Sequence, residues 1–492
     1  MLGRGFEAGK GGGEEGVGQP STASGSSAES GRWSLLGNFD AQGIAGLCAM
    51  AFIATVPIHV VSLDLGFRLK VWFVPLLVGI AVTIPRLPTV VRGLPRIVRF
   101  SLLLMVVGGS LGLFASDQMV KALRHEVALL VAVAALFLIV AVGRIPYLGV
   151  ALRLGALCMA TTSVVVAALA LGSIVDVDAL EQGSSVVGQL AEVAYGDMVV
   201  VSGSHVDSNF GALYAVVWLF LIAAIPAERW FGRRADGAVV GLLLLQLVLT
   251  VSKTGAVALV AGSLAFLAVF CFVRRTDRVP VAGVYVLLSF AIVGGVVLGI
   301  DGGDGHANLQ YSIQKRGDQF AVEASDLVAV FADVEFWEPR PPDPLAGWNA
   351  GEFEGLSEEE LIELGVSEQA LGPTLGRAST WKSYFHDFRD HPLTGTGLGT
   401  SSAKTYAHNA ALDAAGGGGI AALAGWIMFW GGIGVLSIKR IVRRRRVDPR
   451  VAALTAFLVA SMLLTTLYEP IGMVLAGLVL LRCTPTDVNS TA

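Results

Sequence analysis

Residues 127–144 read VALLVAVAALFLIVAVGR, sixteen apolar residues without a charge, closed by a glycine and an arginine. As a helix this run comes close to crossing roughly 30 Å of hydrocarbon, and the rest of the chain says what surrounds it. Of 492 residues, 54% are hydrophobic and only 15% charged. The mean hydropathy of +0.68 lies far above that of a soluble domain of this length. The chain therefore reads as an integral membrane protein. Similar runs start near positions 41, 71, 98, 126, 150, 208, 237, 255, 279, 417, 451 and 471. The second and twelfth are short enough to be tilted or re-entrant.

Cytoplasmic loops of membrane proteins collect Lys and Arg, which tests the count independently. With the N-terminus inside, the cytoplasmic connections hold Arg86, Arg92, Arg96 and Arg99, then Arg144 and Arg153, then Arg229, Arg233 and Arg234, then Arg274, Arg275 and Arg278, and last the block Arg443 to Arg446. The outer connections, 62–70, 115–125, 174–207, 252–255, 301–416 and 468–470, are poorer in basic residues for their length. The largest is acidic, with 18 Asp and Glu against 7 Lys and Arg over residues 301–407. The expected fold is thus an all-α polytopic membrane protein of about twelve spans with one large, mainly helical extracytoplasmic loop.

Its expected divisions are a disordered cytoplasmic tail at 1–40, nine spans over 41–300, the loop domain over 301–416, three spans over 417–482, and a cytoplasmic tail at 483–492. The first forty residues are rich in Gly, Ser and Glu and lack the apolar core of a signal peptide. Cys48, Cys158, Cys271 and Cys483 show neither disulfide nor metal-ligand spacing. Inside the loop, LSEEELIELG (356–365) carries a capping-box pattern, with Ser357 as N-cap and Glu360 three residues on. In RASTWKSYFHDFRDHP (377–392), Trp381, Tyr384, Phe385 and Phe388 form an apolar stripe that suits packing or the bilayer surface, and Pro392 stops the helix.

Ionisable residues at mid-membrane depth mark ion-coupled transport, and the apolar runs are almost bare of them. Gln246 is the one polar side chain of note near a helix middle, suited to hydrogen bonding in the bundle. Polar groups gather instead at the outer helix ends: Asp207 and Asn209, Ser252 and Lys253, His408 and Asn409, Tyr468 and Glu469. That distribution suits a substrate whose reactive group sits at headgroup level and whose tail stays in lipid. Cleaving a sugar from a lipid pyrophosphate needs cations for the departing oxygens. It also needs a group that orients or deprotonates the acceptor hydroxyl, for which His serves near neutral pH.

The motifs SKTG (252–255), GR(x)3W (376–381), HPLTGTGLG (391–399) and AHNAALDAAGGGG (407–419) follow one another in order around the long loop. Together with the topology they resemble the O-antigen ligase and O-antigen polymerase superfamily over roughly residues 205–440. That likeness implies a C-type membrane glycosyltransferase using an undecaprenyl-pyrophosphate-linked glycan outside the bacterial cytoplasmic membrane, without a metal or other cofactor. His408 and Asn409 match the catalytic His-Asn motif. Arg377, Lys253 and Ser252 match the donor-binding positions, with Lys253 standing where Ser-Arg is usual, which keeps the charge but loses the bidentate fork. SHVDSNFGALY (204–214) places Asn209 in the family's Asp-Pro-Asn-type helix start, with Ser208 for proline.

Tyr468, Glu469 and His391 are further candidate substrate-binding residues. The expected partners are the lipid-linked donor, a glycan, lipid or protein acceptor, and membrane lipids; nucleic acid is not among them. The DVD triplet at 176–178 and the glycine loop 391–399 lack the surroundings that nucleotide sites need. A transporter or flippase of lipid-linked or envelope saccharides is the alternative from another class, and a non-catalytic membrane scaffold a second.

Overall fold

In hydrocarbon a backbone must satisfy its own amides and carbonyls, so apolar runs become helices. The computed structural model describes residues 41–58, 62–64, 68–143, 145, 147–171, 191–193, 199–201, 208–225, 233–250, 252–273, 376–401, 407–444 and 448–481. Its helices are α1 (Ala41–Thr55), α2 (Phe73–Thr83), α3 (Leu87–Gly93), α4 (Arg96–Ala115), α5 (Met119–Val142), α6 (Leu148–Leu171), α7 (Ser208–Ala224), α8 (Arg233–Leu249), α9 (Lys253–Val273), α10 (Gly376–Asp390), α11 (Ala410–Arg444), α12 (Arg450–Ser461) and α13 (Pro470–Leu480). Two antiparallel hairpins interrupt them, β1 (Ser62–Asp64) with β2 (Arg68–Lys70) and β3 (Ala191–Val193) with β4 (Val199–Val201).

Among the described residues six helices are long and apolar enough to cross a membrane: Phe73–Gly93, Arg96–Ala115, Met119–Val142, Leu148–Val165, Lys253–Cys271 and Ala410–Arg443. Ala41–Thr55, Ser208–Ala224, Arg450–Ser461 and Pro470–Leu480 are shorter apolar helices. The expected run near 279, the helix at 356–365, the DVD triplet, Cys483 and most of the loop 301–416 lie outside the described residues. The short second run extends through a 3-10 turn at Ile84–Arg86 into one 21-residue span.

The two most enclosed helices are both shorter than the six long spans. All eleven residues of α13 are buried, as is α7 from Gly211 to Ile222. Longer helices surround them and turn apolar side chains outward, among them Phe100, Leu103 and Phe114 on α4 and Ile427 and Ile438 on α11, as lipid-facing surfaces do.

α4 and α11 pack closely through glycine. A Cβ on Gly112 would come 2.1 Å from the Gly417 carbonyl oxygen, and one on Gly108 would come 2.4 Å from the Ala422 nitrogen. Small residues let membrane helices approach to backbone contact. α11 breaks at Gly419, where φ is 63° and ψ −163°. The orphaned carbonyls of Gly416 and Gly417 accept bonds from the amides of Thr396 and Gly397, at 2.8 and 2.9 Å, and the Pro392 carbonyl accepts from Ile420 at 2.8 Å. The loop 391–399 thus mends a helix break, and the run of four glycines serves close packing.

One expectation needs correction: the spans are not bare of ionisable groups. Glu126 on α5, Asp413 on α11 and Arg153 on α6 are all buried. Each lies near a helix start that the apolar run alone puts too late or assigns to a loop. Arg153 forks onto Asp236 of α8, Nε to Oδ1 at 2.6 Å and Nη2 to Oδ2 at 3.1 Å, and donates to the Gly149 and Ile225 carbonyls. Gln246 donates to the Gly211 carbonyl at 3.4 Å, linking α8 to α7.

Candidate functional site

The starts of α2, α5, α7, α11 and α13 meet around one cavity, and Ser252 ties the start of α9 to that of α7. The cavity has a volume of about 700 Å³. It is lined by Lys70 after β2, Trp72 and Phe73 at α2, Lys121, Arg124, His125, Ala128 and Val131 on α5, Phe210 on α7, His408, and Thr465, Tyr468, Glu469 and Pro470 before and at α13. Helix starts carry partial positive charge, and three full cations add to it here.

His408 has a φ of 48°. A non-glycine residue in the left-handed region costs of order 1–3 kcal/mol and persists when its neighbours over-determine it. Both neighbours are pinned. The Trp381 indole N–H donates to the Ala407 carbonyl. Asn409 caps α11, its Oδ1 accepting from the amides of Ala411 and Leu412 at 3.0 and 3.1 Å, and its Nδ2 donates to the Met462 carbonyl at 3.1 Å. Asn409 is therefore committed to the backbone and acts by fixing where His408 stands. One turn on, the fully buried Asp413 faces the hydroxyls of Tyr384 and Thr465. Burial, and then the charge of Asp413, push the Tyr384 hydroxyl well above the ordinary phenol range, so it remains a donor. Of the stripe on α10, Trp381 and Tyr384 are buried and pack inward, whereas Phe385 and Phe388 are only half-buried.

Opposite His408, Glu469 Oε2 accepts from the Tyr214 hydroxyl at 3.2 Å. The Tyr468 ring meets the His125 ring edge-on at 4.8 Å, and His125 Nδ1 lies 2.9 Å from the Lys121 carbonyl oxygen. Ser252 donates to Asn209 Oδ1 at 2.8 Å and accepts from the Gly255 amide at 3.0 Å, capping α9 and tying it to the start of α7. Lys253 follows, half-buried, as the first residue of α9.

Of the residues expected from sequence, His408, Tyr468 and Glu469 line this cavity. Asn209 and Ser252 are joined to each other beside its Phe210 wall. Lys253 and His391 do not line it, and His391 is exposed at the end of α10. Arg377 lies in the first turn of α10, with its side chain outside the described residues. Sequence reasoning missed Lys70, Lys121, Arg124 and His125, which fall in connections regarded as poor in basic residues. The signal was present in KALRHE (121–126), where Lys121, Arg124 and His125 stand at i, i+3 and i+4 on one face of a helix start.

Residues 238–427 match the family described as O-Antigen ligase. The chain carries a domain of the O-antigen ligase family. No curated protein matches the chain. The O-antigen ligase region contains Ser252, Lys253, Arg377, His391, His408 and Asn409. Lys70, Lys121, Arg124, His125 and Asn209 precede it, and Tyr468 and Glu469 follow it. Of the residues that line the cavity only His408 lies within the matched region, and the rest come from segments on both sides of it. Among the described residues no cluster of His, Cys, Asp or Glu is arranged to hold a metal ion.

Proposed function

We propose that the protein transfers a glycan from an undecaprenyl-pyrophosphate-linked donor to an acceptor hydroxyl, with the cavity facing the outside of the cytoplasmic membrane. The observation that carries this reading is the position of His408, held by the cap of Asn409 and the Trp381 bond in the wall of a cation-lined cavity. The acceptor oxygen attacks the anomeric carbon and the bond from that carbon to the pyrophosphate oxygen breaks. The hydroxyl proton passes to His408, and polyprenyl pyrophosphate leaves. A single displacement of this kind inverts the anomeric centre. Arg377, at one of the family's donor positions, offsets the charge that develops on the leaving oxygens, while Lys253, at the other, stands at the start of α9 outside the cavity lining. Glu469, held by Tyr214, accepts a hydrogen bond from an acceptor hydroxyl.

The test is His408→Ala in a strain that makes the cognate glycan. The variant should be present in the membrane at wild-type level and transfer no glycan, because the base or orienting group is gone. Normal glycan in that strain overturns the reading. In the deletion strain, accumulated single repeats on lipid indicate a polymerase, and accumulated long lipid-linked chains a ligase.

A further inference from the structure

The glycine seam between α4 and α11 fixes how the two helices run. A Cβ on Gly417 or Gly418 would meet the loop or the α4 backbone, one on Gly425 would come 2.6 Å from the Met105 nitrogen, and one on Gly432 would come 3.2 Å from the Ile97 side chain. Residue numbers fall on α4 as they rise on α11, so the pair is antiparallel. From Ala410 to Gly432 α11 covers roughly 30 Å, at about 1.5 Å per residue, which is the thickness of the hydrocarbon layer. The start of α4 therefore stands at the membrane face opposite His408.

Past Gly432, α11 continues to Arg444, whereas α4 begins at Arg96. Lys439 and Arg443 follow Gly432 by seven and eleven residues, which keeps them on the face that Gly425 and Gly432 turn toward α4. They point to the start of α4, where Arg96 is exposed and Arg99, one turn on, is half-buried. The Arg99 Nε is enclosed without a hydrogen-bond partner. Among the described residues none of these four side chains has an ion pair or hydrogen bond. Asp448, the carboxylate that meets this end of α11, is taken by Arg440 and Arg450. Topology accounts for cations at this level. It does not account for their convergence from two helices, which repels, or for Arg99 inside a span, which is costly. An anion offsets both. Beside the cations α4 exposes Phe100 and Leu103, and α11 exposes Val435 and Ile438, a surface that suits acyl chains.

We propose that the start of α4 and the end of α11 form a binding site for an anionic phospholipid of the leaflet opposite the cavity. Arg96, Arg99, Lys439 and Arg443 hold its phosphodiester, and its acyl chains lie along the exposed apolar side chains of the two helices. Neutralising the four cations secures the α4–α11 pair, whose far end carries His408.

The test uses the full-length protein in phosphatidylcholine nanodiscs, with binding of a fluorescent phosphatidylglycerol as the readout. Lys439→Gln with Arg443→Gln should weaken binding about tenfold or more, as expected for two cations lost at a membrane surface. Lys439→Arg with Arg443→Lys keeps both charges and should retain most of the binding. Lys121→Gln with Arg124→Gln removes the same charge at the cavity end and should leave it at the wild-type level. Phosphatidylglycerol should raise the melting temperature of the wild type and not that of the Lys439, Arg443 glutamine variant. Melting in phosphatidylcholine alone shows that each variant is folded.

Wild-type binding by the glutamine variant at Lys439 and Arg443 overturns the site. Equal weakening by the cavity-end pair overturns it in favour of a general attraction of basic surface to anionic lipid. Inorganic phosphate displacing the probe as readily as unlabelled phosphatidylglycerol overturns the lipid as its ligand. The inference stands apart from the transfer reading, because His408→Ala should bind the probe as the wild type does.

Discussion

At the end of the bundle away from the cavity both buried arginines face a carboxylate, Arg153 with Asp236 and Arg450 with Asp448. At the cavity end Lys121 and Arg124 have no such partner among the described residues. The difference follows from burial. A fully buried charge costs several kcal/mol unless it is paired and hydrogen-bonded, so Arg153, enclosed between α6, α7 and α8, needs its fork filled. Lys121 and Arg124 keep contact with solvent, and leaving them unpaired costs little. Their field extends into the cavity, where a ligand anion can meet it. The buried pairs hold the fold, whereas Lys121 and Arg124 line the cavity without such a pair.

The largest effect should come from breaking the paired end. Asp236→Ala leaves the Arg153 guanidinium buried with only two carbonyls, and is expected to cost roughly 3–5 kcal/mol. The checking measurement is the apparent melting temperature of the purified protein, with a marked fall expected. Lys121→Gln strands no carboxylate and should change stability by no more than about 0.5 kcal/mol. Equal losses at the two sites would erase the distinction between structural and functional charge.

Next comes Asn409→Ala, at the cavity end. Losing the cap of α11 should cost on the order of 1 kcal/mol in stability. It also removes the cap that follows the left-handed backbone of His408, so glycan transfer should fall by much more than the loss of folded protein. Asn409→Asp keeps the capping oxygen and should recover most of the stability. If transfer in the alanine variant tracks folded protein one for one, the strained backbone at His408 has no part in catalysis.

Much of this was legible in the sequence because hydrophobic length and basic flanks are local signals. Eleven of the twelve apolar runs fall on described helices, and His408, Tyr468 and Glu469, grouped from sequence at helix ends, line one cavity. What escaped detection depends on neighbours. Asp413 precedes the glycine run, and nothing local says that the helix starts at Ala410 and carries the carboxylate inside. Arg153 looks like a loop arginine until α8 brings Asp236 to it. Lys121 and Arg124 went unremarked because basic residues in membrane proteins are read first as topology. On the side of the cavity they are better read as ligands for charge.

The smallest effect is one of pH, and it probes the paired end again. Burial alone would push the Asp448 carboxyl up, but bonds from Arg450, Nε to Oδ1 at 2.8 Å among them, and the charge of Arg440 outweigh burial and hold it below the ordinary carboxylate value. A carboxyl lowered by folding contributes stability that is complete above its unfolded value near pH 4. That contribution is lost as pH falls through the lower folded value, where the proton displaces the arginines. Asp448→Asn should therefore melt below the wild type at neutral pH, and the gap should close as both are taken below about pH 4. Thermal melting of the two proteins across that window is the check. A gap that stays constant into acid means that Asp448 does not titrate against Arg450, and that packing of α12 on its neighbours, not charge pairing, secures this end of the bundle.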